Sequence, residues 1–172
     1  MNSDRKLTAI LFLDIQGYTS IMQSDEARAL KWLDLYQAVL NESITQYQGE
    51  IVKAYGDGSI CLFNSSLHAV QCARDLQLKF QESEPIPVRI GIHSGDVIYK
   101  REDVFGDALN IASRIESMGI AGSILLSKSL VDRVKNQQEL KFKSLGSYHF
   151  KNVSESIEIF ALEGEKLTIP SR

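Results

Sequence analysis

The chain has 172 residues, a length that suits one domain with its own hydrophobic core. Hydrophobic residues make up 44% and charged residues 24%, which excludes disordered, collagen-like and disulfide-scaffold classes. The net charge is −3 without a basic run, so we expect no nucleic-acid partner.

Membrane segments and disulfides are not indicated by the sequence. The apolar run Ala9 to Leu13 is too short for a membrane span, which needs about 20 residues, or for a signal peptide. Cys61 and Cys72 lie in apolar segments, as reduced core cysteines do. We therefore expect a cytoplasmic protein without a membrane partner.

The hydrophobic pattern predicts alternating strands and helices along most of the chain. The predicted elements are a strand over Leu7–Asp14, a helix over Thr19–Tyr47, a hairpin over Glu50–Asn64, a helix over Ser65–Gln81, strands over Val88–His93 and Val97–Tyr99, and a helix over Phe105–Ser117. The last third predicts a strand over Ile124–Leu126, a helix over Leu130–Asn136, and strands near Lys141–Ser144, Tyr148–Lys151 and Ile157–Leu162.

The order strand, helix, strand, strand, helix, strand at the centre is that of a ferredoxin-like βαββαβ core. We therefore predict an α+β fold with additional C-terminal strands, a mostly antiparallel sheet and helices packed on one face. Residues 1–172 form one domain with its core over about 7–162, and residues 163–172 are expected to be a loose tail.

Asp14 ends the first predicted strand, and the chain then turns through Gly17 into a helix. An aspartate at this place is often only a turn or helix-cap residue. The same position also suits a Mg²⁺ ligand, with the helix start at Tyr18 and Thr19 presenting N–H groups to phosphates. Both interpretations stay open on this segment alone.

Asp57 lies in the Gly56-Asp57-Gly58 turn, which makes a hairpin with or without a function. A hairpin beside the first strand brings Asp57 towards Asp14. Two carboxylates that share a site repel each other unless a cation lies between them. Such a pair is typical of two-metal phosphoryl chemistry.

Asn110 and Arg114 are four residues apart and share one face of the predicted third helix. Such a pair is usually a solvated polar face. Here the helix is otherwise largely small or apolar, with Ala108, Leu109 and Ala112, which favours polar groups placed for a purpose. His93, in contrast, lies in an apolar strand and is expected to be a core residue.

Taken together and in this order, these segments resemble the catalytic domain of class III adenylate and guanylate cyclases over about residues 7–162. The matching stretches are Phe12-Leu13-Asp14-Ile15-Gln16-Gly17-Tyr18-Thr19, Tyr55-Gly56-Asp57 and the run from Asp103 to Arg114. The resemblance implies metal binding at Asp14, Ile15 and Asp57, and adenine recognition by Lys53 and Asp103. It also implies transition-state contacts from Asn110 and Arg114, and substrate contacts from Tyr18, Thr19, Arg89 and Lys151.

The activity implied is that of an adenylate cyclase, a phosphorus–oxygen lyase that converts ATP into 3′,5′-cyclic AMP and pyrophosphate with two Mg²⁺ or Mn²⁺ ions. It implies a homodimer with two equivalent composite sites. Seven residues separate Gly95 from Asp103, a short arm familiar among bacterial members, so we expect a bacterial source and allow for an upstream sensor domain. Two alternatives remain: a guanylate cyclase or relaxed purine cyclase, and a catalytically silent nucleotide-binding dimerisation domain.

Overall fold

The computed structural model describes residues 4–82, 84–101 and 103–171. Within these ranges, eight strands and five helices follow one another in the order β1 (Asp4–Ile15), α1 (Tyr18–Ser24), α2 (Glu26–Gln46), β2 (Glu50–Tyr55), β3 (Gly58–Phe63), α3 (Ser66–Phe80), β4 (Val88–Lys100), β5 (Asp103–Phe105), α4 (Asp107–Ser117), β6 (Ile124–Ser127), α5 (Lys128–Val134), β7 (Lys141–Tyr148) and β8 (Ile157–Glu163). None of the helices in these ranges is both long enough and apolar enough to cross a bilayer.

One sheet joins the strands in the order β2-β3-β1-β4-β6-β8-β7, and β5 pairs with the end of β4. All pairings are antiparallel except that of β4 with β6. The predicted α+β fold and its ferredoxin-like order, β1-α2-β2-β3-α3-β4, are confirmed.

The two faces of β1 divide the core. Leu11 and Leu13 pack in the large cluster with residues of α2, α3 and α5, whereas Ile10 and Phe12 pack in a second cluster with α4. Because side chains alternate across a strand, α4 lies on the opposite face of the sheet from α2, α3 and α5. The prediction of helices on one face is therefore corrected for α4, which crosses over between the parallel strands β4 and β6.

Several boundaries also differ from the predicted ones. The first predicted helix is two helices that meet at Asp25, whose side chain accepts a hydrogen bond from the Arg28 N–H at 3.2 Å. The two strands predicted over 88–99 are one continuous strand. Phe105 belongs to β5, so α4 begins only at Asp107.

The C-terminal third needs two further corrections. The strand predicted over 148–151 does not form; β7 instead runs through a bulge near Gly146 and ends at Tyr148. The tail, expected to be loose, is fastened to the domain: the Thr168 N–H donates to the Gly122 carbonyl at 3.0 Å, and Gln81 donates to the Lys166 carbonyl at 2.9 Å.

Candidate active site

Asp14 and Asp57 meet where β1 ends beside the β2–β3 turn. Asp14 is paired in register with Gly58, and the N–H of Ile15 donates to the Asp57 carbonyl at 3.1 Å. The turn is possible because Gly56 adopts a φ of 63°, which favours glycine. The expectation that the hairpin brings the two aspartates together agrees with this geometry.

Both carboxylates are only partly exposed. Burial, together with the charge of Asp14, raises the pKa of Asp57 above its ordinary value. A raised carboxyl pKa means that negative charge is disfavoured at this place in the absence of a cation.

Arg89 faces Asp14 across the β1–β4 pair, where the two residues are register partners. Its Nη2 donates to Asp14 Oδ2 at 2.8 Å and its Nε donates to Asp14 Oδ1 at 3.1 Å. This two-point contact raises the pKa of Arg89 further. The residue expected at the triphosphate is therefore bound here to the expected metal ligand.

Glu116 was not anticipated from the sequence, although the structure places it at this cluster. It is 5% exposed, and its Oε2 lies 3.6 Å from Arg89 Nη2. Burial, and after it the neighbouring carboxylate of Asp14, raises the pKa of Glu116 to about 9. A signal was available: Glu116 follows Ala112 by four residues and so falls on the buried face of α4.

Asn110 and Arg114 line a cavity of about 90 Å³ on α4, together with Asp107, Ile111 and the segment Lys151–Val153. Arg114 Nη1 donates to the backbone carbonyl of Lys151 at 3.0 Å. The structure thus brings Lys151, which lies in the turn after β7, to the two α4 residues. Arg89 and Lys151, both expected at the triphosphate, stand in different groups.

Lys53 and Asp103 form a third group. Lys53 Nζ lies 3.9 Å from Asp103 Oδ1, and the same oxygen accepts the Val104 N–H at 2.8 Å. Both side chains are about half exposed, which leaves their polar atoms accessible to a ligand. A cavity of about 330 Å³ lined by Glu50, Val52, Tyr99, Asp103 and Val104 adjoins the pair.

Tyr18 and Thr19 begin α1, directly after Gly17 with its φ of 76°. Thr19 is exposed and Tyr18 is half-buried against the core. The side chain of Ile15 is buried, and since it carries no ligand atom, only its backbone can contact a metal ion. His93 is buried as predicted, with Nδ1 2.7 Å from Ser127 Oγ.

The donor set of Asp14 and Asp57 fits a hard divalent cation, which prefers carboxylate oxygens. Arg89 already places a positive charge against one of them, as a cation would. Across the residues that the structure describes, no three His, Cys, Asp or Glu side chains are grouped as an ion site. Among the described residues, the protein ligands that this place offers are therefore the two aspartates and backbone oxygens.

Comparison with known sequences decides the family. The profile of the adenylate and guanylate cyclase catalytic domain matches residues 2–164, nearly the whole chain. The protein belongs to this family. Members of the family generally depend on divalent metal ions, in keeping with the donor set of Asp14 and Asp57.

Individual relatives agree with this assignment. The adenylate cyclase of Anabaena cylindrica is 31% identical, over 94% of this chain and 37% of its own length. The solved adenylate/guanylate cyclase/hydrolase of Silicibacter pomeroyi is 32% identical with a TM-score of 0.87, covering 95% of this chain and 100% of that one. The solved guanylyl cyclase Cya2 is 25% identical with a TM-score of 0.83, covering 95% of each chain. The chain spans 28% and 37% of the length of the first two curated relatives it matches.

Proposed function

We propose that this cyclase is an adenylate cyclase, which converts ATP into 3′,5′-cyclic AMP and pyrophosphate. The observation that carries the proposal is the Lys53–Asp103 pair, an ammonium and a carboxylate 3.9 Å apart and open to a ligand. Adenine offers an acceptor at N1 and a donor at its 6-amino group, so this pair complements it. Guanine offers the opposite pattern, and the mismatch would leave polar groups unpaired.

In the proposed reaction, the ribose 3′-oxygen forms a bond to the α-phosphorus and loses its proton, while the bond from that phosphorus to the bridging oxygen breaks and pyrophosphate leaves. Asn110 orients the ribose, and Arg114 stabilises charge that develops on the α-phosphate. Removing one such preorganised contact typically costs about 10²–10³-fold in rate. Asp14, Asp57 and the backbone of Ile15 would hold two divalent ions, which would supply activation of the hydroxyl and neutralisation of the phosphates.

The remaining site residues are assigned to contacts with the triphosphate. Arg89 stands with the aspartates and Lys151 stands with Arg114, so we assign both to the β- and γ-phosphates from opposite sides. The N–H groups at Tyr18 and Thr19 face the phosphates from the start of α1.

A homodimer with two equivalent sites follows from the same grouping. Lys53 and Asp57 belong to one hairpin, yet Lys53 pairs with Asp103 while Asp57 lies beside Asp14. These residues must contact the base and the phosphates, which are opposite ends of ATP. We propose that Asp14, Asp57 and Arg89 of one protomer face a second group of residues on its partner. That group consists of Lys53, Asp103, Asn110, Arg114 and Lys151. We also propose that the protein acts in the cytoplasm of a bacterium.

Guanylate cyclase activity, or relaxed base choice, is the second candidate. The likeness to guanylyl cyclase Cya2 favours it, because that protein is similar over 95% of the chain. The Lys53–Asp103 pair argues for ATP.

The deciding experiment supplies ATP and GTP together, at equal concentrations with Mn²⁺, and separates the cyclic products by chromatography. Cyclic AMP is expected to dominate, and the Asp14→Ala variant serves as the inactive control. The double variant Lys53→Glu/Asp103→Cys should turn the preference towards GTP. A native enzyme that forms mainly cyclic GTP would contradict the assignment.

A further inference from the structure

Glu116 lies at the Asp14–Arg89 pair and has no role in the mechanism above. Helix α4 approaches β4 so closely there that a Cβ on Gly91 would lie 2.4 Å from the Glu116 nitrogen. Positions 89 and 91 share one face of β4, since side chains alternate along a strand. The close approach therefore puts the Glu116 carboxyl on the face that carries Arg89.

The guanidinium of Arg89 is shared unequally between the two acids. Asp14 takes Nε and Nη2 at 3.1 and 2.8 Å, whereas Glu116 Oε2 is 3.6 Å from Nη2, outside hydrogen-bond range. Oε2 is buried and has no hydrogen-bond partner within the described ranges. A buried acceptor without a partner is destabilising, and this one faces the Arg89 guanidinium.

Binding of metal ion and triphosphate, as proposed above, would change the hydrogen-bond partners of Arg89. A metal ion on Asp14 would compete with the guanidinium for the carboxylate oxygens and would weaken these two contacts. Arg89 then needs another acceptor on the protein side while its outer donors reach phosphate oxygens. The end of helix α4 offers Glu116 Oε2, beside the Ser117 carbonyl that already accepts from Nη1 at 3.5 Å.

We propose that Glu116 is a positioning residue for Arg89: its carboxyl accepts a hydrogen bond from the guanidinium once Asp14 is engaged, and so holds Arg89 against the diphosphate end of a nucleoside triphosphate. This inference rests on the metal and triphosphate site of the proposed function. It depends neither on the identity of the base nor on cyclisation.

The test is calorimetric titration of the intact chain with inorganic pyrophosphate at saturating Mn²⁺. Glu116→Leu, which removes the acceptor at similar volume, and Arg89→Gln should each weaken pyrophosphate binding by about tenfold. Because Glu116 acts through Arg89, Glu116→Leu should change binding by less than about twofold in the Arg89→Gln background. Glu116→Gln keeps an acceptor oxygen and should recover most of the affinity.

Glu158→Leu is the matched control, since this glutamate is a half-buried residue of β8 that accepts a hydrogen bond from Ser144 Oγ. The affinity of this variant for pyrophosphate should equal that of the native chain. Thermal unfolding verifies that each variant is folded, and Glu116→Met replaces Glu116→Leu in the cycle if the latter does not fold. With ATP as substrate, Glu116→Leu should raise KM more than it lowers kcat.

Additive losses in the double variant would overturn the inference, as would Glu116→Gln binding no better than Glu116→Leu. A native chain that does not bind pyrophosphate with Mn²⁺ would overturn it as well. If the variants show the expected coupling but the native chain forms no cyclic nucleotide, the proposed function fails and the positioning role of Glu116 stands.

Discussion

Asp14 and Arg89 face each other across neighbouring strands and form a two-point ion pair, with contacts of 2.8 and 3.1 Å. Since Asp14 is also the proposed metal ligand, the guanidinium occupies the carboxylate that a metal ion needs. A metal ion bound at Asp14, as proposed, would compete with Arg89 for this carboxylate, and Arg89 would then turn to Glu116 and to phosphate oxygens.

Replacing Arg89 by alanine should change metal and phosphate binding in opposite directions. Without the competing guanidinium, Mn²⁺ should bind the nucleotide-free chain about tenfold more tightly, a gain of about 1.4 kcal/mol. Pyrophosphate should bind more weakly. Electron paramagnetic resonance of free Mn²⁺ measures the first effect, with Lys128→Ala, a cation paired with Asp132, as control. Weaker Mn²⁺ binding by Arg89→Ala would show that the pair does not compete with the metal.

Composite sites predict complementation between two inactive variants. Asp14→Ala and Arg114→Ala each damage both sites of a homodimer, but their hybrid retains one intact set. Random pairing makes half of the dimers hybrid with one good site each, so a mixture should recover about a quarter of native activity. The rate of cyclic AMP formation measures this, beside each variant alone. Hybrids that assemble but stay inactive would refute the shared site.

Acid should destabilise the protein through His93. Burial lowers its pKa to about 4, below the value of about 6.5 in an unfolded chain. As pH falls from about 6.5 to about 4, the unfolded chain takes up a proton that the folded chain does not, so stability is lost over this window. His93→Gln should therefore show a smaller fall of the unfolding temperature over this range.

The control for that measurement is His149→Gln, because His149 is exposed. Its unfolding temperature should fall with pH as steeply as that of the native chain. Equal pH dependence in native protein and His93→Gln would exclude His93 as the cause.

Adding one methyl group at Gly91 should destabilise the domain. The new Cβ would lie 2.4 Å from the backbone nitrogen of Glu116, which cannot rotate away as a side chain can. We expect Gly91→Ala to lower the free energy of unfolding by about 1–3 kcal/mol. Urea unfolding measures it. Gly164→Ala is the control, since its Cβ would meet only the flexible end of Leu167, and an equal loss in both variants would contradict the packing argument.

The meeting of Asp14 and Asp57 was accessible from the sequence, because a hairpin beside a strand end has few arrangements. The face of the sheet on which α4 packs could not be predicted from the sequence. The pattern of an amphipathic helix shows which of its own faces is buried but not which face of the sheet it packs against. The parallel pairing of β4 with β6, and glycines in β4, decide that.

The contacts of Arg89 and Glu116 could not be predicted from the sequence for a related reason. Helical spacing is enough to place Glu116 on the buried face of α4, although we did not draw this inference, and the spacing of one helix does not identify a partner on β4. The resemblance to the family implies a substrate contact for Arg89. It does not imply that Arg89 pairs with Asp14 in the absence of substrate.

Gly91 and Gly95 let α4 lie directly on β4; a Cβ at Gly95 would come within 2.7 Å of Ala108. Because β4 has no side chain at these two positions, α4 packs closely against it, and we expect Asn110, Arg114 and Arg89 to move together. In the proposed homodimer, we therefore expect an activating signal to act by rotating one subunit against the other and not by moving α4 on β4 within a subunit.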